Sequence, residues 1–164
     1  MSLKNLKLTT FINLYGLFKI PLVLFVNPRV VESSEDKFVL KIPLAYRTKN
    51  HLGSMYFGAL GIGAELSIAA AAVVAIAESK QKIDFIFKDF KAEYLKRGSG
   101  DVHFICEEVA AVKSLIAEAT TSANRLERKL TGYAVVPGSE TPTEVIMKYE
   151  LTLSVRNRSF KGSV

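Results

Sequence analysis

The strongest constraint on this chain is an apolar run of 23 residues, 55–77, that carries one charge, Glu65. By length alone the run could cross a bilayer, which takes about 20 residues. Its makeup argues against that. Residues 68–77 hold six alanines, whose transfer out of water yields little, and glycine occupies positions 58, 61 and 63. A carboxylate near the middle of a bilayer is costly unless paired. The run is therefore expected to be the buried central helix of a soluble, cytoplasmic protein, with no membrane span.

A second apolar stretch, residues 11–26, is interrupted by Asn13 and Lys19 and broken by Pro21. It is too short to span and is not followed by a plausible cleavage site, so it does not read as a signal peptide. Leu6, Phe11, Leu14, Leu17 and Phe18 recur close to helical spacing, which predicts an amphipathic or partly buried N-terminal helix. The whole chain, 1–164, is expected to be one domain, with residues 1–26 packed on it as a helical segment.

Composition narrows the function classes. One cysteine, Cys106, excludes an intramolecular disulfide framework and a cysteine-based zinc site, and it reads as a buried apolar filler. His51 and His103 stand far apart, so no metal and no cofactor are expected. The net charge of +6 favours a phosphate-bearing partner. The cations are scattered, however, with no block of five or six, and nucleic acid is not expected as that partner.

Along the chain, residues 32–36 read as a turn, 38–44 as a strand, 47–53 as a loop and 83–95 as a strand. The polar stretch 97–101 reads as a tight turn returning residues 102–106 to form a hairpin with that strand. Residues 107–130 have helical composition, with Val112, Leu115, Ile116 and Ala119 on one side. Two more strands follow, 132–136 and 144–155, joined by residues 137–142. The alternation Met147, Tyr149, Leu151, Leu153, Val155 is the clearest half-buried strand. The order predicts an α+β fold in which a long central helix is covered by a curved antiparallel sheet. A free sheet edge would be a natural pairing site, so a dimer is expected.

The residues with chemical potential cluster at the start of the long helix. Asn50, His51, Gly53, Ser54, Tyr56, Gly58, Gly61 and Glu65 lie within 16 residues. With Ser54 as N-cap, Ser54, Gly58, Gly61 and Glu65 share one helical face. That face is small except for Glu65, so a ligand or partner can approach its backbone. Amides near Phe57 and Gly58, at the positive end of the helix, could polarise a carbonyl and stabilise an oxyanion. A carboxylate facing them could activate water or attack directly. These are parts for hydrolysing an activated acyl group without a serine or cysteine nucleophile. The same residues also admit a plainer account, with Glu65 at a groove or paired with an arginine and the glycines present for close packing.

At these positions the chain resembles the hotdog-fold thioesterases. Their pattern is Asn-x-x-Gly-x-x-His-Gly-Gly followed seven residues later by Asp or Glu. Asn50, Gly53, Gly58 and Glu65 match it; Tyr56 stands where His is usual and Phe57 where the first glycine of the pair is usual. The N-terminal helix and these two replacements point to an uncharacterised thioesterase branch, similar to the phenylacetate-pathway type of acyl-CoA thioesterase. The resemblance implies a hotdog fold with an extra N-terminal helix and hydrolysis of an acyl-CoA or acyl-carrier thioester. It also implies a homodimer, in some cases two dimers forming a tetramer, with a site shared between protomers. Carried over, Glu65 would be general base or nucleophile, the Gly58 amide would polarise the carbonyl, and Asn50 would position substrate or water. Gly53, Ser54, Tyr56, Phe57 and Gly61 would line the substrate. Lys88, Lys91, Lys96 and Arg97 are candidates for coenzyme A phosphates, or simply solvated cations. His51 adjoins the motif, whereas His103 reads as structural.

Two other classes remain open from sequence. One is a non-catalytic hotdog protein that binds an acyl chain or acyl thioester, against which Asn50 and Glu65 weigh. The other is a hotdog dehydratase, which usually pairs a His with a carboxylate; here Tyr56 stands at the usual His position.

Overall fold

Residues 2–138 and 144–160 are described by a computed structural model. The N-terminal segment is two helices, α1 (Leu3–Lys19) and α2 (Pro21–Val26), separated at Ile20, with Pro21 opening the second. Two short strands follow, β1 (Arg29–Ser33) and β2 (Phe38–Ile42), and then the central helix α3 (Phe57–Ser79). After it come β3 (Ile83–Tyr94), β4 (Val102–Cys106), α4 (Val109–Thr120), β5 (Leu126–Val135) and β6 (Val145–Asn157).

The six strands form one antiparallel sheet in the order β1-β2-β4-β5-β6-β3. It packs on α3, which buries Leu60, Ala64, Ile68 and Ala72 among others. The alanines keep that flank of the helix shallow, and α4 packs beside it through the expected Val112, Leu115, Ile116 and Ala119. By length and composition α3 is apolar enough to cross a membrane, but 67% of its most apolar window is buried inside the protein. Its apolarity is accounted for by the core it fills.

Two contacts show how closely helix and sheet meet. The Phe104 ring lies over Gly63, where a Cβ would overlap it. One turn on, the Ser67 hydroxyl and the Tyr149 hydroxyl are 2.8 Å apart, and Tyr149 also donates to the Ile105 carbonyl at 3.2 Å. Tyr149 can sit in the core because its hydroxyl is partnered, and burial pushes its pKa upward.

The structure corrects four expectations. The predicted hairpin of residues 83–95 with 102–106 does not form: β4 lies between β2 and β5, while β3 pairs with β6 at the far edge. Strand length gives the reason. β3 has 12 residues and β6 has 13, so they pair over ten positions, whereas the five-residue β4 matches the five-residue β2. The intervening segment crosses between them, held by Leu95 N–H to the Ile146 carbonyl and by the Gly98 carbonyl accepting from Met55.

The helical reading of 107–130 is right only as far as Thr120. Residues from Leu126 pair with β6 throughout, so β5 begins six residues before the expected strand start at 132. The expected turn at 32–36 begins later, because Glu32 and Ser33 belong to β1 and the chain reverses at Ser34–Lys37. Finally, Ser54 does not cap α3. Tyr56 is the N-cap, with extended φ −66° and ψ 138°, and the helix begins at Phe57. Part of the expected 137–142 connection, residues 139–142, lies outside the described residues.

β6 has the predicted alternation, with Met147, Tyr149, Leu151, Leu153 and Val155 all buried. The edge strand β1 is covered by α1, whose Thr9 hydroxyl accepts from Val30 N–H at 2.8 Å and whose Asn5 amide donates to the Val31 carbonyl. The opposite edge, β3, has no strand on its outer side among the described residues.

Candidate active site

The segment leading into α3 is built around Asn50. Its Oδ1 accepts from Leu52 N–H at 2.9 Å and Ser54 N–H at 3.2 Å, and its Nδ2 donates to the Ser54 hydroxyl at 3.0 Å. The backbone closes around it, with Asn50 N–H donating to the Ser54 carbonyl and Gly53 N–H to the Asn50 carbonyl. Gly53 takes φ +77°, a conformation that a side chain would strain. Asn50 and Gly53 thus shape the turn that delivers Met55 and Tyr56 to the helix start. Met55 is tied to Gly98, and Tyr56 N–H donates to the Thr48 carbonyl at 2.7 Å.

Among the described residues no side chain caps α3. Its first-turn N–H groups therefore keep the donor capacity and partial positive charge of a helix start. Aromatic rings surround that end. Tyr56 meets Phe57 with ring centroids 4.9 Å apart, and Phe57 meets Tyr94 at 6.4 Å. Tyr56 and Phe57 are exposed. The Tyr56 ring leans over Gly58, where a Cβ would lie 2.6 Å from its Cε1, so Gly58 makes room for the tyrosine.

Farther along, α3 forms the floor of an apolar groove of about 810 Å³. Gly58, Gly61, Glu65 and Ala69 lie along that floor; Leu8, Phe11, Ile12 and Tyr15 of α1 form one wall, and Phe85, Phe87 and Phe90 of β3 form the other. Gly61 faces open space: a Cβ there would meet only Phe90 Cε1, at 3.9 Å. The helix thus accepts the conformational cost of a glycine, about 0.5–1 kcal/mol against alanine, with no close packing among the described residues to explain it.

Glu65 is the acidic residue of this floor. It is exposed on the groove side, and no hydrogen bond or ion pair reaches its carboxylate among the described residues. Loss of water to the surrounding apolar walls raises its pKa above the ordinary 4.5. The arginine pairing left open by the sequence is not formed among the described residues. A partly desolvated carboxylate without a partner is more basic than a fully solvated one and keeps its lone pairs free.

Of the predicted site residues, the groove brings together Gly58, Gly61 and Glu65. Asn50, Gly53, Ser54, Tyr56 and Phe57 stand before or at the helix start and do not line the groove of their own protomer. Ser54 is buried, with its hydroxyl engaged by Asn50. His51 is exposed in the turn. His103 lies half-buried in β4, where desolvation and then Lys41 lower its pKa. Cys106 is fully buried, and its thiol is pushed up to about 11, chiefly by burial. Lys88 is paired with Glu127 at 2.7 Å and Lys96 with Glu144.

Sequence reasoning missed Asp89. A bulge between Phe87 and Phe90 places it on the groove wall, where Oδ1 accepts from Thr152 N–H at 2.9 Å. The signal was present: aromatic residues at 85 and 87 resume at 90, a one-residue slip in the alternation.

A family model described as Domain of unknown function (DUF4442) matches residues 10–136. Solved structures share the fold at low identity. A protein of Shewanella oneidensis, provisionally described as a thioesterase, superposes with a TM-score of 0.76 at 13% identity, covering 92% of this chain and 98% of that one. A Pseudomonas aeruginosa protein of unknown function, also provisionally described as a thioesterase, gives 0.70 at 23%, covering 91% and 95%. A thioesterase of Haemophilus influenzae gives 0.63 at 17%, covering 96% and 92%. No curated protein sequence matches the chain. The architecture is the hotdog fold that the family resemblance implied.

Proposed function

The chain belongs to the family described as Domain of unknown function (DUF4442), and from that premise we propose that it is a thioesterase that hydrolyses acyl-CoA or acyl-carrier thioesters with Glu65 as general base or nucleophile. The observation that carries the reading is Glu65 itself, a carboxylate without a partner among the described residues on the floor of an apolar groove, made more basic by partial desolvation. An acyl chain fits such walls, and the thioester carbonyl would lie against an uncapped helix start.

As general base, Glu65 takes a proton from water while the water oxygen bonds to the carbonyl carbon. The amide at Gly58 stabilises the oxyanion, and collapse breaks the C–S bond, with the proton passing to the departing thiolate. As nucleophile, Glu65 displaces the thiolate to give an acyl anhydride that water then cleaves. Asn50, occupied within its own turn, acts by fixing the approach to the helix start and offers what remains of its amide to the substrate.

The working unit in this reading is a homodimer. The 12-residue β3 lies at the sheet edge beside the groove and exposes Ile86, Phe90 and Tyr94. Antiparallel pairing with the same strand of a second copy would cover that edge and set the helix start of one protomer against Glu65 of the other.

The test is hydrolysis of a panel of acyl-CoA thioesters of graded chain length by the purified protein, with Glu65→Ala alongside. Turnover that disappears in the variant supports the proposal. A folded wild-type protein that binds acyl-CoA without turning it over would move the assignment to a carrier, and undiminished turnover by Glu65→Ala would remove the mechanism.

A further inference from the structure

Helix α1 is amphipathic in the wrong sense for a surface helix. The side facing the protein carries Asn5, Thr9 and Asn13, which serve the edge of β1 and the segment before it: Asn5 donates to the Val31 carbonyl, Thr9 accepts from Val30, and Asn13 donates to the Pro28 carbonyl at 3.0 Å. Leu8, Ile12 and Gly16 complete that side. The opposite side presents Leu3, Leu6, Leu14, Leu17 and Phe18 to solvent, with Phe18 76% exposed. On a solvated helix these positions would be polar. α2 continues the surface with exposed Leu22 and Phe25.

The charge of this segment is one-sided. From Ser2 to Val31 the chain has Lys4, Lys7, Lys19 and Arg29 and no carboxylate. Lys7 falls on the outward side of α1 with Leu14 and Phe18, by helical spacing, and Lys19 is exposed at its end. Arg47, from the loop before α3, stands 5.4 Å from the centre of the Phe25 ring and adds a cation beside α2. Lys4 is turned toward Ser33 and Glu35, but leucine and aromatic side chains flanked by Lys7, Lys19 and Arg47 suit the boundary between acyl chains and anionic headgroups.

We propose that α1 and α2 form a docking surface for an anionic lipid bilayer, on which the outward leucines and phenylalanines enter the interface while Lys7, Lys19 and Arg47 meet lipid phosphates. The inverted helix then has a physical reason: its polar side is used to close the edge of β1, and its apolar side is reserved for lipid. Because Leu8, Phe11, Ile12 and Tyr15 of the same helix wall the groove, docking sets the groove beside the membrane. The docking face stands independently of what is hydrolysed in the groove.

The experiment is co-sedimentation of the full chain with vesicles of phosphatidylcholine containing phosphatidylglycerol, against phosphatidylcholine alone, at low and physiological salt. Wild type is expected to partition onto the anionic vesicles and to lose affinity severalfold as salt screens the lysines. Leu14→Ser combined with Phe18→Ser, at exposed positions, should lower partitioning by at least roughly tenfold with circular dichroism unchanged. Lys7→Glu with Lys19→Glu gives a second, charge-only variant that should lose the preference for anionic vesicles. Wild type remaining in the supernatant, or both variants binding like wild type, would overturn the proposal. So would an oligomer that dissociates in the Leu14/Phe18 variant without any lipid binding by wild type, which would assign the face to a second copy.

Discussion

On the sheet-facing side of α3, Gly63 lies beneath the Phe104 ring and Ser67 bonds the Tyr149 hydroxyl, so both of these small residues are matched by a large neighbour that fills the space. On the groove side of the same helix, a Cβ at Gly61 would come no closer than 3.9 Å, to the Phe90 ring, and Glu65 has no partner among the described residues. Two glycines two positions apart, in one helix, therefore have different causes. Gly63 is required by this protomer's own packing. Gly61 borders the open groove, with the Glu65 carboxylate one turn away on the same floor.

The contrast can be broken or sharpened experimentally. The largest effect belongs to Glu65→Gln, which keeps shape but removes the base; kcat/KM for acyl-CoA is expected to fall by about 10²–10⁴-fold with Tm little changed. A comparable loss of Tm would mean that the residue belongs to the packed side after all. Next, Gly63→Ala should destabilise by about 1–3 kcal/mol, read from denaturant melts, because Phe104 is fully buried and has nowhere to move. Gly61→Ala should do the reverse, stabilising by roughly 0.5–1 kcal/mol through helix propensity while lowering activity toward the longer acyl substrates. If Gly61→Ala destabilised as much as Gly63→Ala, the two faces would not differ.

The smallest effect concerns pH. The folded pKa of Glu65 is raised above its unfolded value near 4.5, so the native state holds this proton more tightly than the unfolded chain. Stability from this group is complete below the unfolded pKa and is lost as pH rises toward the folded one. Glu65→Gln should accordingly melt slightly higher than wild type at neutral pH, with the difference vanishing at acid pH. The kcat/KM profile of wild type should rise with pH through the raised pKa, a limb that the variant lacks. A wild-type profile flat across that window would separate Glu65 from the rate.

How much was legible beforehand follows the range of the interactions involved. The buried helix at 55–77 and the period-two strand ending at Val155 are local patterns, and both appear where they were read. The pairing of β3 is not local. Nothing within residues 83–106 states that a 12-residue strand will find its partner some sixty residues on rather than in the five-residue strand that follows. The helix-to-strand change after Thr120 failed for a similar reason: Glu127, Arg128 and Lys129 suit a helix by propensity, and pairing with β6 overrode it. At the site, the spacing of Gly58, Gly61 and Glu65 was enough to place them on one face. The role of Asn50 as the centre of a turn, and the groove walls supplied by α1 and β3, required the fold.

The sequence by itself determined which segment is buried, which carboxylate the central helix carries, and that a long central helix is joined to a largely antiparallel set of strands. These rest on hydrophobic periodicity and near-neighbour spacing, which a chain carries before it folds. Only the tertiary structure decided that β3 is the free edge, that Gly61 opens onto empty space while Gly63 does not, and that α1 turns its leucines outward. Each depends on which surfaces meet across long sequence separations. That outcome follows from competition among strand lengths, edge hydrogen bonds and packed side chains throughout the domain.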